Sequence, residues 1–257
     1  LKKMDDKLQF IDLANVLAHA NTVLLPTTMG AVAVSDQAII NEAHSHGLQV
    51  PDKKKDFDAE FDTAAGAYVA QPKTGMHDWV CSMDLNSLYP SVIRALNMGP
   101  ETIIGQLRLD RTHDMVRKKM NNKASFAEAW EGIFNTLEYD LVQERDIAEK
   151  ITIDWENGDT DQYTGAEIYD VIFLQNNPWS ISANGTIFKH DIKGIVPNLL
   201  ERWYEERKEM QKSLQQAIDV GDKEKIEFWD KRQLVKKINL NSLYGAILNQ
   251  GSRFFDL

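Results

Sequence analysis

The stretch WVCSMDLNSLYPS, residues 79–91, sets the reading of the fold. Its first six residues form a short apolar run of strand length, and the rest turns polar and carries Tyr89 ahead of Pro90. A lone carboxylate, Asp84, therefore falls where a strand gives way to a turn. Beyond the turn, Ser91 to Leu96 reads as a helix. Cys81, the single cysteine of the chain, has no second thiol for a disulfide or a thiolate cluster, and in this strand it reads as buried filler without a chemical role.

Composition frames this stretch. The 257 residues, 43% hydrophobic and 26% charged, carry enough apolar surface for one or two domains. No apolar run approaches the roughly 18 to 20 residues of a membrane span, and the opening LKKMDDKLQF is too charged for a signal peptide, so a cytosolic chain is expected. The net charge of −10 argues against a nucleic-acid partner only until its distribution is considered. Residues 124–170 hold 13 acidic residues against two cations, Arg145 and Lys150, and should avoid phosphate as a solvated face. Residues 187–257 hold 13 cations against 11 acids and should face it.

Working outward, Met4, Leu8 and Ile11 at helical spacing predict an opening helix, and VLLPTTMGAVAV, residues 23–34, reads as extended chain broken by Pro26 and Gly30. Residues 49–62 form a polar joint and a candidate boundary. A helix-rich acidic segment is expected over about 114–150. Alternation in Ile151, Ile153 and Trp155 ahead of Asn157-Gly158 predicts a hairpin, and Thr164 with Glu167 forms a capping box that starts a helix through residues 169–173. Two helices, 195–218 and 223–247, close the chain as an antiparallel αα-hairpin around the short DVGD link.

The second of these helices carries a cation, an amide and a phenol, Lys237, Asn241 and Tyr244, at spacings that place them on one face. Its partner adds Arg207, Lys208 and Lys212 beside an apolar seam of Leu199, Trp203, Met210 and Leu214. Convergent cations of this kind suit a triphosphate, whose oxygens accept charge-assisted hydrogen bonds.

DLNSLYPSVI, residues 84–93, and KINLNSLYG, residues 237–245, together resemble the first and second polymerase motifs of the family B DNA polymerases. AGAYV (65–69), NMGPETI (97–103), SANGTIF (182–188) ahead of GIVP (194–197), and LNQGSRFFDL (248–257) are similar to the branch of that family found in T-even-like bacteriophages. The likeness covers most of the chain and is weakest across 105–175. It implies an α/β (α+β) fold: a partial palm with an antiparallel sheet, plus a projecting two-helix fingers hairpin. The implied organisation is an exonuclease-junction remnant over 1–52, palm over 53–194 with an acidic helical insertion at about 110–175, fingers over 195–249 and the start of a returning palm segment at 250–257.

The resemblance also assigns roles. Asp84, held at a strand end, would be the catalytic carboxylate and bind Mg²⁺ of a two-metal site together with the Leu85 carbonyl. The turn at Ser87 and Leu88 would hold the triphosphate, and Tyr89 would lie beneath the deoxyribose, where a ribose 2′-hydroxyl would clash. Arg207, Lys212, Lys237 and Asn241 would contact phosphates, and Tyr244 with Gly245 the nascent base pair. The implied partners are dNTP and primer-template DNA, with no membrane, and the implied location is the cytoplasm of a phage-infected bacterium.

Two departures qualify this picture. Gln211 stands where the family places a lysine, with Lys212 one step later and about 100° round the helix. The family's third motif, a GDTDS-like hairpin with the second metal-binding aspartate, does not follow the second motif before Leu257, and the exonuclease carboxylates and the thumb are also missing. The chain alone is therefore expected not to extend primers, and to need a second polymerase chain or a C-terminal part carrying that motif and the thumb. GDTDQ, residues 158–162, resembles the third motif but precedes the second and reads as an exposed acidic hairpin. A permuted nucleotidyl transferase using Asp159 and Asp161, and a noncatalytic assembly module, remain as alternatives.

Overall fold

The computed structural model describes residues 1–53, 71–122, 137–176 and 178–255. It divides into two compact units. The described residues of the first are 1–53, 79–94 and 195–255, and those of the second are 71–78, 95–122, 137–176 and 178–194.

The first unit is helical. Helix α1 (Lys2–Leu8) and α2 (Phe10–Asn21) are separated at Gln9, whose φ of 52° breaks the single opening helix that the spacing predicts. Met4, Leu8 and Ile11 are exposed, so this stripe is not core. The stretch 23–34 is not extended: a 3₁₀ turn at Leu25–Met29, with Pro26 in its first turn, leads into α3 (Ala31–Ser45). The period that decides this lies further on, because Val34, Ala38, Ile39, Glu42 and Ala43 are buried at helical spacing and outweigh the alternation of AVAV.

Helix α4 (Leu88–Leu96) belongs to this unit through Arg94. The closing hairpin follows the expectation. Its first helix runs Ile195–Val220 and its second Lys223–Ile247. Gly221, at φ 72°, takes the left-handed turn between them, and the Asp222 carboxylate accepts the Lys225 N–H at 3.2 Å to cap the second helix. Ala38, Ile39, Val196, Leu199, Leu200, Trp203, Leu240 and Leu243 form one core, with Ile93 of α4 packed against it.

The second unit contains a five-stranded antiparallel sheet, so the chain as a whole is mixed α/β. The strands are β1 (Ile103–Leu107), β2 (Lys150–Trp155), β3 (Thr160–Thr164), β4 (Trp179–Ile181) and β5 (Thr186–Lys189), in the order β3-β2-β1-β5-β4. Helices α5 (Asp110–Asn121), α6 (Leu137–Gln143) and α7 (Gly165–Tyr169) accompany it, α7 running on as a π turn over Asp170–Leu174. Numbered in chain order, the two hairpin helices of the first unit are α8 and α9. Leu107, Ile151, Ile153 and Ile187 of the sheet share a core with Leu141, Val142 and Ile168.

The hairpin and the capping box are where the sequence places them. Ile153 pairs with Asp161 across β2 and β3, Gly158 turns at φ 90°, and Thr164 Oγ1 accepts the Glu167 N–H at 3.2 Å. Gly165 has no side chain because a Cβ there would collide with the Leu141 carbonyl of α6.

The expected strand WVCSMD is absent. Residues 80–85 are irregular, residues 79–85 are exposed, and Cys81 is exposed rather than buried. A strand exists through its ladder, and these residues have no ladder partner among the described residues, so apolar content alone does not make them one. AGAYV, the later part of the 49–62 joint and residues 123–136 of the acidic segment lie outside the described residues. Among the described residues no helix is long and apolar enough to cross a membrane.

Candidate functional site

Every residue that the resemblance assigns to the site lies in the first unit, while Asp159 and Asp161 of the permuted alternative lie in the second. Ser87 adopts φ 53°, and its carbonyl accepts the Ser91 N–H at 3.0 Å, so it is the last residue before α4. In that first turn Pro90 has no N–H, and the Leu88 and Tyr89 N–H groups have no intrahelical acceptor. Those two donors, with the positive end of the helix dipole, form an anion-accepting edge.

Helix α4 is held by contacts the sequence did not advertise. Arg94 donates to Glu201 Oε1 at 3.1 Å and lies 4.7 Å over the Tyr204 ring, tying α4 to α8. A lone arginine outside any motif carried no signal of this. Asn239 was missed as well, although it sits inside the second motif. It is buried, and it exchanges hydrogen bonds with buried Asn21 of α2 at 3.0 and 3.3 Å. Its turn angle of about 200° from Asn241 on an ideal helix is the signal that could have separated the two amides.

On α9 the face bearing Lys237 and Asn241 is exposed, Tyr244 is half-buried, and the space beside Gly245 is open. The cations of the hairpin divide into two groups. Arg202, Lys208, Lys225, Lys231 and Lys236 pair with carboxylates, the last with Glu206. Arg207, Lys212, Lys223, Arg232 and Lys237 form no carboxylate pair among the described residues, Arg232 lying instead over the Phe228 ring. Arg207 is half-buried, and its Nε is buried without a hydrogen-bond partner among the described residues.

A direct ring contact joins the two motifs. The rings of Tyr89 and Tyr244 stack with centroids 4.1 Å apart and planes 5° from parallel. Asp84 and Leu85 are placed differently, in the irregular exposed segment ahead of α4. The donor chemistry there, one carboxylate and a main-chain carbonyl, fits Mg²⁺, which takes few protein ligands and completes its shell with water and substrate phosphate. No group of three acidic, histidine or cysteine side chains that could by itself hold a metal occurs among the described residues.

GDTDQ is an exposed hairpin tip whose carboxylates are engaged locally. Asp159 Oδ2 accepts the Asn157 amide at 2.6 Å, and Asp161 Oδ2 accepts the Trp155 indole N–H at 2.8 Å. Nearby, Arg108 binds Asp154 through Nε at 2.5 Å and Nη2 at 2.7 Å and holds that carboxyl below its ordinary range.

Comparison with known proteins agrees with these motifs. The model of DNA polymerase family B matches residues 27–257. The chain is 26% identical to the DNA-directed DNA polymerase of Enterobacteria phage T4 over 98% of its own length and 27% of the relative's. It is 29% identical to that of Escherichia phage RB69 over 44% of its length and 12% of the relative's, and 26% identical to the DNA polymerase of Orf virus over 74% and 15%. The chain thus spans about a quarter of the length of the T4 relative and less of the other two. With most of its residues matched by the family model, the chain belongs to DNA polymerase family B.

Proposed function

We propose that these residues form the palm and fingers part of a DNA-directed DNA polymerase that binds dNTP and primer-template DNA and acts with further polymerase segments in the cytoplasm of an infected bacterium. The observation that carries this reading is the Tyr89–Tyr244 stack, because it brings the first and second motifs together as one site. Arg207, Lys237 and Asn241 bind the triphosphate, with Lys212 at the edge, and the Leu88 and Tyr89 N–H groups take further phosphate oxygens. Tyr89 supports the deoxyribose, and Tyr244 with Gly245 lies against the nascent base pair. Asp84 and the Leu85 carbonyl would hold Mg²⁺, which when bound supplies charge neutralisation at the phosphates. The protein's share is to position the groups that react.

Primer extension by the polymerase that carries these residues tests the assignment. Asp84→Asn is expected to lower the rate by at least about a hundredfold, the scale on which a group stabilising developing charge acts. A near-unchanged rate would overturn it. The permuted alternative has no support in the local engagement of Asp159 and Asp161.

A further inference from the structure

We infer that Tyr244 is a positioning residue for sugar selection, acting through the ring of Tyr89. The inference rests on the reading that places the sugar on Tyr89. The two rings are parallel within 5° and 4.1 Å apart, so one face of Tyr89 is covered by Tyr244. Tyr89 nevertheless remains 45% exposed, so a ligand can reach it. A steric test of a 2′-hydroxyl works only if the ring it meets cannot retreat, and a bare tyrosine at the start of a helix can change rotamer. Here retreat is blocked. Ile93, one turn after Tyr89, packs on the core that contains Leu240 and Leu243, and Arg94 ties the same helix to Glu201 and Tyr204. With both helices fixed, the Tyr244 ring forms a backstop behind Tyr89, and discrimination becomes a property of the pair.

The test is equilibrium binding of dCTP and CTP, each with Mg²⁺, to the purified chain and its variants, read as the ratio of the two affinities. Tyr244→Ala is expected to reduce the preference for dCTP by about two- to tenfold, the range a stacked aromatic pair is worth. Tyr244→Phe, which keeps the ring, should hold the wild-type ratio whatever it does to either affinity. The double variant with Tyr89→Ala should lose no more preference than Tyr89→Ala alone. A wild-type ratio in Tyr244→Ala, with the ratio lost in Tyr89→Ala, overturns the inference and leaves the sugar reading intact. An unchanged ratio in Tyr89→Ala overturns the sugar reading, as does failure of the wild-type chain to bind dCTP, and the inference goes with it. Melting temperatures give an independent check. The two alanine losses should be less than additive when combined, and strict additivity would contradict the stack.

Discussion

Leu-Asn-Ser-Leu-Tyr occurs twice in this chain, at 85–89 and at 240–244, in two unlike conformations. In the first copy Leu85 is 70% exposed and Leu88 44%, the chain turns at Ser87, and a helix begins at Leu88. In the second the same leucines, Leu240 and Leu243, are 1% and 0% exposed in mid-helix. The flanks make the difference. Pro90 is tolerated only in a helix's first turn, so any helix containing it begins just before it. The second copy enters a helix already running from Lys223, where nucleation has been met upstream and each residue adds a bond. Identical residues then bury or expose according to which face meets the core. The copies meet again at their last residue, where Tyr89 stacks on Tyr244.

The sharpest way to break this comparison is to truncate equivalent leucines. Leu243→Ala should destabilise the chain by about 2–5 kcal/mol, the cost of a cavity in a closed core, whereas Leu88→Ala should stay within about 0.5 kcal/mol. Urea unfolding of both variants measures it. Similar losses would mean that the two copies are packed alike.

A smaller effect isolates what anchors the second copy. Asn239→Ala removes one half of the buried amide pair with Asn21 and should cost about 1–3 kcal/mol in the same unfolding experiment. A neutral result would show that the pair contributes no net stability to the seat of α9.

The smallest effect is electrostatic. Asp222 caps the helix that carries the second copy, and its hydrogen bonds from Lys225 hold its carboxyl below the ordinary value. A carboxyl depressed in the folded state contributes stability above its unfolded value of about 3.9, and this is lost as pH falls through the folded value. The melting-temperature advantage of the wild type over Asp222→Asn should therefore shrink on acidification from neutral pH. A constant difference would rule out the charge as its source.

What was legible in the sequence follows the same logic of local against distant causes. The Thr164–Glu167 capping box, the Asn157-Gly158 turn and the α8–α9 hairpin are set by residues a few positions apart, and all three are found. Residues 23–34 and 79–84 were misread because their local pattern is ambiguous. The first is settled by the later positions Ala38 to Ala43, and the second depends on a ladder partner that a single segment cannot show. Of the site, the common face of Lys237 and Asn241 could be read from spacing. The Tyr89–Tyr244 contact could not, because it depends on how α4 packs on the hairpin core. Nor could the pairing of Lys236 with Glu206, which leaves the adjacent Lys237 as the cation available to a ligand.

That adjacent pair of lysines offers the most direct test of the nucleotide site. Binding of dCTP with Mg²⁺ to the purified chain should weaken by about tenfold or more in Lys237→Ala, as loss of a charge-assisted hydrogen bond requires, and change little in Lys236→Ala. Equal affinities in the wild type and Lys237→Ala, or an equal loss in both variants, would contradict a triphosphate site on this face of α9.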